Sequence, residues 1–214
     1  SQSMADVLRE QPRLRLLYVG IFMTTLIIIG FDVLSSIYTR DVLQGNESLF
    51  GMLIGLVGLG TVASAGWLMV AKGQRNLWRD VIMGLLLLAL LPALSGLGAW
   101  LGSPAFATVA IAAGCLLAGI GMGFTHVQAG TLLQKLAPPA LLGRAAGVFQ
   151  STAVAGQMVG LLLTPVLVPV VLSPGAYLAL ASLALALVVV YMAIIIYRTR
   201  QPAAPAPDMA AQLP

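Results

Sequence analysis

The sequence predicts an all-α integral membrane protein of six transmembrane helices, built as a three-plus-three inverted repeat with both termini in the cytoplasm. Composition, six apolar segments of spanning length and the placement of basic residues predict this fold. Hydrophobic residues make up 59% of the 214 residues and charged residues only 8%, whereas about a quarter of a typical soluble domain is charged. So few charged side chains cannot cover a water-facing surface, and this excludes a soluble protein.

Each of the six apolar segments is long enough to cross a bilayer, which takes about 20 residues. The breaks between them carry charges or turn-forming residues, as at Pro138 and Pro139. The predicted spans are 14–38, 49–71, 81–101, 106–129, 145–171 and 176–197. They form a transmembrane domain over 14–197. A cloning scar and cytoplasmic lead-in over 1–13 precede it, and a disordered cytoplasmic tail over 198–214, rich in proline and alanine, follows it.

The basic residues orient these spans. With the amino terminus inside, all but one of the 11 lysines and arginines fall on inner segments, and only Arg40 lies outside. This positive-inside bias predicts a multi-pass protein of the cell inner membrane, which we expect to be bacterial. The net charge of +4 is therefore a consequence of topology, and we expect the partners to be lipid and small molecules rather than nucleic acid.

The two halves of the chain share a glycine pattern. Gly51 and Gly55 open the second span as L-x-G-x-x-x-G, and Gly143 and Gly147 open the fifth in the same way. When the two motifs are aligned, a first repeat over about 14–101 matches a second repeat over about 106–197. Because three helices is an odd number, the two copies run in opposite senses, as in secondary transporters. The glycines alone fit plain helix packing equally well, so the spacing of the spans is the better support.

A polar segment after the fourth span carries a more specific pattern. Gln134, Pro138, Gly143 and Arg144 stand in the order Q-x-x-x-P-x-x-x-x-G-R. This pattern resembles the segment between the tenth and eleventh helices of the major facilitator superfamily, most closely in its drug- and siderophore-exporting branch. The likeness covers roughly residues 8–197 and implies the carboxy-terminal six-helix half of such a transporter. The loop 66–75 keeps the glycines and bases of a second family pattern but lacks its acid.

The resemblance implies a function as well as a fold. It implies half of a secondary active transporter that exports a small organic molecule by alternating access, as a proton-driven multidrug antiporter, with the other six-helix half as its partner. It implies no enzymatic activity and no cofactor. It also implies that Arg144 helps to latch the inner face during switching. From the residues alone, an equally good interpretation is that Lys135 and Arg144 only anchor the topology. Close packing is expected at Gly143.

The resemblance further implies that the first and fourth spans face a central cavity. Thr25, Asp32 and Ser36 share one face of the first span. A face of the fourth span is formed by Gly114, Gly121, Thr125 and Gln128. The predicted substrate and proton pathway is therefore Asp32, Thr25, Ser36, Thr125 and Gln128. For each hydroxyl the competing interpretation is a hydrogen bond to its own helix. Asp32 is the strongest candidate, because an acid well inside a span is functional by default. The competing interpretation is a carboxylate that water reaches from the outer face.

Other functions stay open at this point. Half of a transporter is the leading hypothesis, and the alternatives are a stand-alone protein that acts as a parallel homodimer and a structural or assembly protein that transports nothing. An intramembrane serine protease would need a nucleophile such as Ser95 and a histidine on a later helix, but the one histidine, His126, is misplaced for that role. A metal site is rejected because neither a second histidine nor a cysteine pair accompanies His126.

Overall fold

The computed structural model describes residues 8–41, 43–44, 47–71, 76–171 and 174–198. These residues form helices and short connections, with no strand among them. All six described helices are long and apolar enough to cross a membrane, which confirms the predicted fold class. They are α1 (Pro12–Asp41), α2 (Glu47–Val70), α3 (Leu77–Leu101), α4 (Pro104–Leu136), α5 (Leu142–Val171) and α6 (Pro174–Arg198), with a 3-10 turn at Pro139–Leu141 before α5. The predicted scar, most of the tail and the loop 72–75 lie outside the described residues.

The helix ends follow local capping chemistry. Ser103 caps α4 by accepting a hydrogen bond from the backbone N–H of Phe106 at 3.5 Å, and Gly102 takes the left-handed backbone conformation, with φ of 64°, that ends α3. α4 has 33 residues and is ~50 Å long, so it extends well past a hydrocarbon layer of about 30 Å. The predicted span ends at residue 129, and α4 continues beyond it to Leu136, just before Pro138 and Pro139, which cannot continue a helix.

The beginning of α3 is also earlier than predicted. The predicted span starts at residue 81, because the charges of Arg79 and Asp80 favoured assigning them to a connection. The helix instead begins at Leu77, where the side chain of Asn76 accepts a hydrogen bond from the backbone N–H of Arg79 at 3.3 Å. Asp80 thus lies within the first turn of α3, where the helix dipole favours a negative charge.

The packing pattern of the helices has an internal symmetry. α4 packs between α2 and α3, α1 packs against α5 and α6, and α3 also packs against α6. Exchanging α1 with α4, α2 with α5 and α3 with α6 leaves this set of contacts unchanged. The arrangement therefore agrees with the inverted repeat predicted from the spacing of the spans.

Basic residues concentrate at one end of the bundle, where α1, α3 and α5 begin and α2, α4 and α6 end. We call it the basic end. Its described members are Arg9, Arg13, Arg15, Arg79, Lys135, Arg144 and Arg198. Arg40 lies at the opposite end, paired with Asp41 at 2.8 Å between Nε and Oδ1. Their hydrogen bond lowers the pKa of the Asp41 carboxyl. The assignment of the basic end to the cytoplasm remains a prediction.

Glycines allow α4 to approach both of its neighbours at backbone distance. On the α3 side, a Cβ at Gly121 would come within 2.9 Å of the Leu87 Cβ atom and 3.1 Å of the Leu88 nitrogen. On the α2 side, Gly119 and Gly123 face the Val57 and Thr61 backbone, and a Cβ at Gly123 would lie 2.8 Å from the Thr61 carbonyl oxygen. Small residues that let backbones meet are the usual basis of helix association in lipid.

Hydrogen bonds between helices supplement this packing. Tyr18 on α1 donates to the carbonyl oxygen of Ala145 on α5 at 2.8 Å, and Tyr38 donates to that of Ser95 on α3 at 2.5 Å. Ser182 on α6 donates to the Ala89 carbonyl oxygen of α3 at 3.1 Å. Each bond satisfies a polar group where lipid offers no partner.

We predict that Gly121→Val destabilises the bundle, because the added side chain has no room against α3. Overpacking of this kind costs about 1–3 kcal/mol. The measurement is the midpoint of thermal unfolding of the detergent-solubilised protein. Gly130→Val is the matched control, since a Cβ at Gly130 of the same helix meets nothing within 4 Å. Equal midpoints for the two variants would contradict the packing described.

Candidate functional site

Two adjoining cavities lie between α1 and α4. The larger, which we call the apolar chamber, has a volume of about 360 Å³, and the smaller, which we call the polar annex, about 120 Å³. Both are lined by Ile28, Asp32, Leu88 and Met122. They therefore adjoin and share part of their walls, and we call the pair the α1–α4 groove, with Asp32 in the shared wall.

The two parts of the groove differ in chemistry. The apolar chamber extends to α2 and α6, and its walls include Phe31, Phe50, Leu91 and Ile111. Its hydroxyl groups include that of Thr39, which is used within its own helix as a donor to the Ser35 carbonyl at 2.9 Å. The polar annex extends to α5. Its polar lining residues are Thr24, Thr25, Asp32, Thr125, His126 and Gln157.

Asp32 is the charged residue of the groove. Its side chain is exposed to the groove, and among the described residues its carboxylate makes no hydrogen bond or ion pair. The nearby Ser35 hydroxyl donates to the backbone carbonyl of Asp32 at 2.7 Å rather than to the carboxylate. A charged side chain at the bilayer centre costs roughly 2.5–3.5 kcal/mol on insertion scales, and nothing in the described part of the chain offsets that cost through a direct contact.

The threonines of the annex fall into two groups. Thr25 donates to the carbonyl oxygens of Ile21 at 2.6 Å and Phe22 at 3.1 Å, so its hydroxyl is satisfied by its own helix. Thr24 and Thr125 are 3% and 5% exposed, and within the described structure neither hydroxyl oxygen has a hydrogen-bond partner. Leaving a buried hydroxyl unpaired costs about 1–3 kcal/mol. α1 and α4 thus each contribute one unsatisfied hydroxyl beside the annex.

Gln128 does not lie in the groove, contrary to the predicted pathway. Its Nε2 donates to Oδ2 of Asp80 on α3 at 2.8 Å, and both side chains are buried. Gly121 and Gly114 of the same helix face also pack toward α3. The predicted face exists, but most of it serves helix packing. Asp80 was missed because the sequence places it at a charged span boundary, and its buried partner is distant along the chain.

The remaining predicted residues are Ser36 of the pathway and the four residues of the pattern after the fourth span. Ser36 belongs to α1, but its side chain lies outside the described residues. The Gln134 and Arg144 side chains are exposed at the basic end. Pro138 has extended backbone angles just after α4 ends, as expected for a helix-stopping proline. A Cβ at Gly143 would meet nothing within 4 Å among the described residues, so close packing at this glycine stays a prediction that requires a partner outside them.

Two residues weighed for catalysis have other surroundings. Ser95 is completely buried and donates its hydroxyl to the Leu91 carbonyl at 2.8 Å, so it is not placed as an accessible nucleophile. His126 is exposed and lines the polar annex. From the sequence alone, Gln157 of α5 is interpreted as a residue that packs between helices. It lines the annex because Gly156 packs its helix closely against the Phe22 carbonyl of α1.

The spans and the groove together define a class, namely helical membrane proteins with a ligand-sized depression between two spanning helices. A family model described as Major Facilitator Superfamily matches residues 2–156, which is more than half of the chain. The chain belongs to the Major Facilitator Superfamily and is a membrane transporter by family. A search of curated proteins finds no match to it.

We predict that Gln128→Leu acts on stability, because it removes a donor from the buried carboxylate of Asp80. The expected loss is about 1–3 kcal/mol, measured as a lower thermal midpoint. Gln134→Leu, which changes an exposed glutamine on the same helix, should stay within about 0.5 kcal/mol of the parent protein. A Gln128→Leu variant of unchanged stability but weakened substrate binding would instead support the predicted pathway role.

Proposed function

We propose that this chain is one half of a secondary active transporter that exports a small organic molecule by alternating access. The observation that carries the proposal is the α1–α4 groove, where an unpaired carboxylate stands between an apolar chamber and a polar annex. Transporters of this architecture bind their substrates near the midplane, between structural repeats. The volume of the chamber falls within the roughly 300–1,000 Å³ of small-molecule sites.

A second six-helix half completes the transporter in this proposal. It is either part of the same polypeptide or a second copy of the chain, and the second possibility is the homodimer. Support comes from glycines that no described helix covers. A Cβ at Gly51 or Gly55 of α2, or at Gly143 or Gly147 of α5, would meet nothing within 4 Å among the described residues. Small-residue faces of this kind suit close contact with further helices.

Proton coupling is the proposed energy source. Asp32 of α1 and His126 of α4 are titratable groups that line the annex, and the chamber adds the Cys115 thiol of α4. The described lining residues of α2, α3, α5 and α6 contribute no charged or titratable group. A proton that binds Asp32 removes the one negative charge of the groove, so protonation and substrate binding at this point are linked.

Two further proposals concern the basic end, namely the role of Arg144 and the cellular location. Arg144 is exposed next to the turn Pro139–Leu141, where it is available to pair with a partner half as the chain switches between states. The proposed location is the inner membrane of a bacterial cell, with the basic end in the cytoplasm, in accordance with the positive-inside rule.

We predict that Asp32→Asn abolishes pH-driven efflux by the intact gene product. The measurement is efflux of a panel of labelled organic solutes from cells or proteoliposomes at several external pH values. Because the variant cannot exchange a proton at this position, any residual transport should lose its pH dependence. Asp41→Asn removes an acid from the same helix outside the groove and should behave like the parent protein. Unchanged efflux and pH dependence in Asp32→Asn, at equal expression, would contradict the proposed role.

A further inference from the structure

A further cavity lies at the basic end of the bundle, between the first residues of α3 and the last residues of α6. Its volume is about 230 Å³, and we call it the end cavity. None of the described residues that line it also lines the apolar chamber or the polar annex. The end cavity is therefore separate from the groove on which the proposed transport function depends.

The polar and apolar residues of the end cavity lie at different depths. Asn76 and Arg79 are at the start of α3, and Tyr197 is at the end of α6, so all three lie near the edge of the bundle. Ile82 is three residues, or ~4.5 Å, beyond Arg79 along α3, and Ala193 is four residues, or ~6 Å, before Tyr197 along α6. Both steps lead toward the middle of the spanning region. The cavity is thus polar at the helix ends and apolar farther in.

Arg79 is the charged residue among the described residues that line the end cavity. Its side chain is exposed, and within the described structure it makes no hydrogen bond or ion pair. The adjacent acid, Asp80, is buried and accepts a hydrogen bond from Gln128 of α4 at 2.8 Å. Arg198, the residue after Tyr197, adds a second exposed positive charge at the end of α6. The described walls of the end cavity thus carry positive charge, which favours an anion.

Two aromatic residues indicate the level in the membrane at which a ligand would lie. Trp78 of α3 and Tyr197 of α6 both line the end cavity, and these residue types are enriched at the level of the lipid headgroups. A guanidinium binds phosphate through two parallel hydrogen bonds. A free phosphate would leave the apolar wall of Ile82 and Ala193 without contacts, whereas an uncharged acyl chain would leave Arg79 unpaired. A molecule with a phosphate and a hydrocarbon part satisfies both.

We propose that the end cavity binds an anionic phospholipid, with its phosphate on Arg79 and the upper part of an acyl chain against Ile82 and Ala193. Basic pockets between spanning helices are typical sites for such headgroups. A lipid of net negative charge is favoured over phosphatidylcholine, because the choline group is positive and would lie among the arginines of this end. This inference goes beyond the proposed transport function and does not depend on it.

Quenching of indole fluorescence by brominated lipid tests the proposal, because Trp78 lines the end cavity and reports its occupancy. The intact gene product is reconstituted into phosphatidylcholine vesicles that contain increasing fractions of brominated phosphatidylglycerol or, separately, of brominated phosphatidylcholine. The contribution of Trp78 is the difference between the parent protein and Trp78→Phe. We expect half of its quenching at an at least about tenfold lower fraction of phosphatidylglycerol than of phosphatidylcholine, which corresponds to about 1.4 kcal/mol.

Three variants show whether this preference depends on the cavity. Arg79→Gln should remove it, so that the two lipids quench Trp78 alike. Arg79→Lys should keep part of it, because lysine retains the charge but not the two parallel hydrogen bonds. Arg15→Gln is the matched control, since it changes an exposed arginine of the same end that does not line the cavity, and it should retain the full preference.

Each contrary outcome is distinct. Equal quenching by the two lipids in the parent protein, or a preference that Arg79→Gln leaves unchanged, would overturn the lipid site. Relief of the quenching by inorganic phosphate, beyond that caused by chloride at the same ionic strength, would overturn the lipid in favour of a soluble phosphate compound. If Arg79→Gln does not fold, the comparison of the two lipids on the parent protein decides. No solute transport is measured, so no outcome bears on the proposed function.

Discussion

Close backbone contact along α4 is the constraint on which this bundle depends. Lipid provides no hydrophobic driving force between helices, so their association relies on van der Waals contact and hydrogen bonds. Gly119 and Gly123 bring α4 against α2, and Gly121 brings it against α3. Because two neighbours hold it from different sides, the rotation of α4 about its own axis is fixed. That rotation turns His126 into the annex and Gln128 toward α3.

Hydropathy and length were sufficient to predict the six helices. Their positions depend on local properties, since each helix must satisfy its backbone and match the bilayer alone. The errors occur where tertiary contacts override a local signal. The predicted third span begins just after Asp80, but Asp80 lies inside α3, where Gln128 of α4 hydrogen-bonds it.

The candidate site was only partly predictable, because the sequence shows the spacing along each helix but not the packing between helices. Helical spacing puts Thr25 and Asp32 on one face of α1, and both line the groove. The same spacing groups Gly121 with Gln128 on α4, correctly, but it cannot state which neighbour that face meets. The answer depends on glycines of other helices, such as Gly84, whose added Cβ would lie 2.7 Å from the Gly121 carbonyl oxygen. Gln157 and the unpaired hydroxyl of Thr24 likewise follow from packing rather than from spacing.

Two acids of the spanning helices, Asp32 and Asp80, differ in their surroundings. Asp80 is buried, 2% exposed, and hydrogen-bonded to another helix, which is how a folded membrane domain accommodates a carboxylate for its own stability. Asp32 is exposed in the groove and has no such contact in the described structure. No contact in the described structure offsets the cost of Asp32, so its neutralisation depends on something outside the described fold, such as a proton or a ligand in the groove. This contrast supports the functional role proposed for Asp32.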